Sequence, residues 1–223
     1  MLRETPMSWW QRLVRGRQAA TMPIDPGRLP MSGWELVRRE PLAAYWRDAT
    51  GDAVSLTLSS LEALPALSDT TQLRHYCRRM AEGQNSGLVE VTCTAGINGP
   101  SVTYIYKRLK IPAFTFFGIV ATPIAYGTWI WTMVAYERGV TGQREAVVTT
   151  RLIQTGQLTL ESYEGSWARD PYDPLYLGVD RRTLRYLSDA EEYDDEFPAH
   201  PLTKVRRELR RLLAVPLSPG TAA

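Results

Sequence analysis

With 223 residues, 44% of them apolar and 22% charged, the chain has ordinary globular statistics and enough mass to bury a core, which excludes a disordered or fibrous protein. A formal charge of +2 leaves no whole-chain field to attract nucleic acid. Cys77 and Cys93 make no disulfide framework and read as two reduced thiols of a cytoplasmic protein.

Residues 1–30 read as a short helix and a linker. Ser8 is placed to cap a helix in which Trp9, Trp10, Leu13 and Val14 oppose Arg12, Arg15 and Arg17. Such an aromatic, basic element docks on its own domain or on a partner, the alternative being a membrane interface. The segment has no apolar core of signal-peptide length, so no export is expected. The prolines and glycine between Ala19 and Pro30 then deliver the chain to its main domain, 31–162.

That domain opens with a strand candidate at Glu35-Leu-Val-Arg-Arg and a hairpin formed by 42–47 and 51–59. Val54, Leu56 and Leu58 share one face and Ser55, Thr57 and Ser59 the other, as in a sheet that is wet on one side. Leu73, Tyr76, Cys77 and Met80 recur at helical spacing, with Asp69 or Thr70 as cap and Gly83 as stop, and predict a helix over 70–84. Strands are predicted over 88–94 and 102–109.

The stretch Ile111 to Tyr136 has no charge over 26 residues, long enough to cross a membrane. Pro112, Gly118, Pro123 and Gly127 interrupt it, and Thr, Val, Ile, Phe and Trp dominate, which is the chemistry of strands and turns. From Thr128 the alternation sets Trp129, Trp131, Met133 and Ala135 on one face. A membrane span over 111–136 is the alternative reading. Residues 137–145 are then expected to be a hairpin loop leading into a further strand over Ala146 to Ile153.

A third segment, 163–223, is proline- and acid-rich and ends in a basic amphipathic helix from Pro201 to Leu213. Leu202, Val205, Leu209, Leu212 and Leu213 form its apolar face, while Lys204, Arg206, Arg207, Arg210 and Arg211 are expected to lie elsewhere. The acidic block Asp189 to Glu196 is expected to be a solvated face that meets this helix.

Motifs for chemistry are lacking. His75 and His200 are far apart with no Cys pair beside either, so a zinc site would need ligands gathered from unrelated segments, and both are read as structural. Glu137 and Glu145 flank the predicted loop as a carboxylate pair, a pattern commoner as edge charge than as acid and base. No Gly-x-Ser-x-Gly, phosphate loop or calcium loop is present. Neither catalysis nor a cofactor or metal is expected, and the basic helix lacks the interleaved aromatics of a nucleic-acid surface.

The expected fold is therefore α+β, an antiparallel sheet of about six to eight strands with flanking helices. The layout of Ser32-Gly-Trp-Glu-Leu, Tyr45-Trp46, Gly51 to Leu58 and Thr141 to Val148 resembles the PsbP-like fold over about residues 31–153. That resemblance implies an antiparallel sheet flanked by helices that works by binding and carries no shared catalytic residue. The expected function is a non-catalytic binding or adaptor module for a protein partner, with Trp9, Trp10, Trp129, Trp131, Arg206, Arg207 and Arg210 as candidate contact residues. The alternative is membrane association through 111–136 or the N-terminal Trp/Arg helix.

Overall fold

The computed structural model describes residues 29, 31–59, 64–125, 127–159, 166–176, 178 and 180–217. Trp9 and Trp10, with the predicted N-terminal helix, lie outside them.

Seven strands form one antiparallel sheet: β1 (Glu35–Glu40), β2 (Ala43–Arg47), β3 (Ala53–Ser59), β4 (Gly87–Gly96), β5 (Gly99–Lys110), β6 (Ala113–Ile124) and β7 (Gly127–Tyr136). Their order is β1-β2-β3-β7-β6-β5-β4. Two meanders thus meet along β3 and β7, with Leu56 opposite Trp131 and Val54 opposite Met133. The uncharged run is the β6–β7 hairpin and not a helical span, and no described helix is long and apolar enough to cross a membrane.

Helix α1 (Thr70–Glu82) joins the meanders across one face of the sheet. Asp69 caps it by accepting a bond from the Gln72 amide at 2.9 Å. Its Leu73, Cys77 and Ala81 pack on Leu88, Val102, Tyr104, Tyr106, Ile119 and Ala121. The opposite face is covered by α3 (Pro201–Leu213), whose Leu202, Val205, Leu209 and Leu212 lie over Trp46, Leu56, Phe116, Val120, Trp129 and Trp131. Burial of each large apolar side chain here contributes roughly 1.5–3 kcal/mol. Gly118 of β6 lies directly beneath α3. A Cβ there would lie 2.5 Å from Val205 Cγ1 and 3.0 Å from the Leu209 methyls.

The predicted strand over 146–153 is instead helix α2 (Gln143–Gln154). Gly142, with φ of +71°, begins the helix in a left-handed conformation that glycine adopts freely. Val148 and Leu152 then bury against Leu158 and Trp167 while Thr150 between them is exposed, a pattern that helical but not strand periodicity gives. The segment after 166 lies against the domain. β8 (Ala168–Arg169) pairs with β9 (Arg185–Tyr186), and Asp170 accepts two bonds from the Arg78 guanidinium of α1 at 3.0 and 2.8 Å.

Candidate functional site

A polar centre lies under the N-terminal half of α3, on an otherwise apolar face. Its first member is Arg206, expected at the surface and found 3% exposed. A bulge between Leu88 and Glu90 of β4 explains the difference. The extra residue, Val89, joins the core under α3 while Glu90 is turned to the same side. Glu90 accepts from Arg206 Nε at 3.1 Å and Nη2 at 2.7 Å, and Arg206 also donates to Asp194 Oδ1 at 2.8 Å and the Asp189 carbonyl at 2.6 Å.

Arg144, at the start of α2, is fully buried and fixes the chain that leads to α3. It donates to the carbonyls of Ser188 and Ala190 at 2.6 and 2.8 Å, to Asp194 Oδ1 at 2.9 Å and to Thr203 Oγ1 at 3.0 Å. The acidic block is therefore only partly solvated: Asp189 and Asp194 are internal, while Glu191 and Glu196 pair at the surface with Arg210 and Arg151. Lys107 of β5 donates to Asp189 Oδ2 at 2.6 Å, and both side chains are completely buried. The ammonium also stands 3.3 Å from the centre of the Tyr186 ring. Burial pulls the Lys107 pKa down, and the Asp189 charge opposes that pull.

Beside this pair the fold assembles three groups from separate elements: Glu137 just after β7, Glu145 in the first turn of α2, and His200, the N-cap of α3. One ligating atom from each lies within 4.8 Å of the other two. Glu137 is held by the backbone, its carboxylate accepting from Phe114 N at 3.0 Å and Gly142 N at 2.6 Å. Glu145 Oε1 is 3.9 Å from His200 Nε2, too far for a hydrogen bond. Neither Glu145 oxygen nor His200 Nε2 has a partner among the described residues, although all three atoms are buried. Burial raises the Glu145 pKa and, with the charge of Arg144 acting in the same direction, drives that of His200 down to about 3. The imidazole is thus neutral, and its Nδ1 accepts the α3 cap bond from Leu202 N at 3.3 Å.

The candidates nominated from the sequence are distributed differently. Trp129 and Trp131, each 1% exposed, are core residues beneath α3 and are not available as surface contacts in this chain. Arg206 belongs to the polar centre, while Arg207 and Arg210 are exposed. Arg207 and Lys204 border a shallow groove with Trp34, Asp48, Asp52 and Met133. The sequence pairs Glu137 with Glu145, whereas His200 reads as structural. The usable signal is its place beside Pro201, which marks it as the residue at a helix start.

An exposed strand lies at the sheet edge. Every residue of β1 from Glu35 to Arg39 is exposed, including Leu36 at 40% and Val37 at 52%, and among the described residues no strand pairs with its outer side. A bulge at Val37 interrupts its register with β2.

No protein-family model matches the chain, and no curated protein matches it. The chain is similar in structure to a mutant of the protein Mog1, with a TM-score of 0.38 and 8% sequence identity over 54% of this chain and 76% of that chain.

Proposed function

We propose that the protein is a non-catalytic binding module that takes an extended segment of a protein partner along β1. The observation that carries this reading is an exposed edge strand whose outer side is paired by no strand among the described residues. It offers backbone donors and acceptors, and its exposed Leu36 and Val37 interrupt a run of charges that would otherwise discourage pairing. The partner segment is extended, so that its backbone continues the sheet, and apolar where it faces Leu36 and Val37. The absence of a nucleophile or phosphate-loop motif from the sequence supports a binding role over a catalytic one.

A photo-crosslinking side chain placed at position 37, compared in the cell with one at the exposed Gln154 of α2, tests the proposal. The expected result is a discrete adduct at 37 that Leu36→Lys abolishes while the far-UV spectrum is unchanged. Equal adducts at both positions, or none at 37, overturn it.

A further inference from the structure

We infer that Glu137, Glu145 and His200 form a binding site for one divalent transition-metal ion, of the class of Zn2+ or Mn2+. The argument starts from unmet bonding capacity. Buried polar atoms are nearly always paired, because a buried donor or acceptor without a partner loses its hydration for nothing in return. Here three such atoms face one another. The His200 side chain is 8% exposed, its Nε2 is unpartnered, and it points at a carboxylate whose two oxygens are also unpartnered.

Charge leads to the same conclusion. Around the centre Lys107, Arg144 and Arg206 stand against the carboxylates of Glu90, Glu137, Glu145, Asp189 and Asp194, an excess of two negative charges in a largely buried region. One divalent cation balances that excess. An imidazole with two carboxylates suits borderline ions better than the all-oxygen shells of calcium or magnesium. With metal–ligand bonds of roughly 2.0–2.2 Å, two ligand atoms on one ion lie at most about 4.4 Å apart, and about 3.4 Å apart in a tetrahedral shell. The 3.9 Å between Glu145 Oε1 and His200 Nε2 is within the trans limit, and the three ligand atoms, all within 4.8 Å of one another, close on one ion by an inward shift of their side chains. The backbone amides of Phe114 and Gly142 hold the Glu137 carboxylate in place while leaving it lone pairs to share.

Binding has a specific structural consequence. With Nδ1 accepting from Leu202 N, the ring proton resides on Nε2. A metal at Nε2 displaces that proton and leaves Nδ1 as the protonated nitrogen, so the Leu202 amide loses its acceptor and α3 loses its side-chain cap. Metal occupancy is therefore coupled to the first turn of α3.

The test is a titration of the chelator-treated full chain with Zn2+ by calorimetry, together with hydrogen exchange at the Leu202 amide. One ion per chain is expected, with faster exchange at Leu202 in the bound form. Glu145→Gln and His200→Asn, the latter keeping a capping oxygen, should each weaken binding about tenfold or more. Failure to bind one equivalent, binding unchanged in both variants, or a Leu202 amide indifferent to Zn2+ overturns the assignment. If a variant fails to fold, the wild-type stoichiometry and the Leu202 exchange decide the matter.

Discussion

At the residue scale the polar centre shows how a buried charge survives. Lys107 and Asp189 are both at 0% exposure, so removing one partner strands the other. Lys107→Met is expected to lower stability by about 3–5 kcal/mol, and adding Asp189→Leu should recover most of that loss, both read from urea unfolding midpoints. Trp131→Asp places an unpaired charge under α3 and should unfold the domain, seen as loss of the near-UV circular dichroism signal. The cysteines give a test that depends on pKa. Burial pushes the Cys77 thiol up to about 12, so at pH 8 it stays protonated, whereas Cys93 is exposed on β4. A thiol reagent should label one cysteine in the native protein and two in urea. Little of this centre was legible in the sequence. Arg206 reads as a surface cation until a bulge one strand away turns Glu90 toward it, and no local pattern shows that Glu137, Glu145 and His200 meet.

At the scale of elements, sequence periodicity served where packing followed it and failed where packing overrode it. The alternation in β7 sets Trp129, Trp131, Met133 and Ala135 in the core, and of the expected helix faces Leu73 and Cys77 in α1 and Leu202, Val205, Leu209 and Leu212 in α3 are buried, while Tyr76, Met80 and Leu213 are only partly so. The stretch Val147-Val-Thr-Thr150 looks like a strand because β-branched residues favour one, yet it lies in α2. The turn at Gly142, the buried hydrogen bonds of Arg144 and the Val148–Leu152 pair outweigh a propensity difference of a few tenths of a kcal/mol per residue. Thr150 is exposed on that helix, so Thr150→Ala should stabilise the protein by about 0.5 kcal/mol in thermal unfolding, whereas a strand at this position would make the same change destabilising. Gly118→Ala probes the α3 contact. The new methyl overlaps Val205, and a loss of about 1–3 kcal/mol is expected, partly restored by adding Val205→Ala.

At the scale of the whole molecule the class was legible, because strands of period two separated by turn residues suffice to give an antiparallel sheet. The sheet order was not, since the joining of β3 to β7 across an intervening helix and three strands leaves no local trace. Nor was the degree to which the segment after 166 is built into the fold. Its α3 covers one face, and the Asn98 side chain of the β4–β5 turn clasps it by donating to the Val215 carbonyl and accepting from Leu217 N, each at 2.7 Å. That late placement bears on biosynthesis. The last strand of the seven-stranded sheet ends at Tyr136 and α3 at Leu213, so 77 positions separate the completed sheet from its cover. At roughly 5–20 residues per second a ribosome needs about 4–15 s to traverse that interval. Until α3 is made, the side chains of Trp46, Trp129 and Trp131 lack the cover that it supplies in the finished fold.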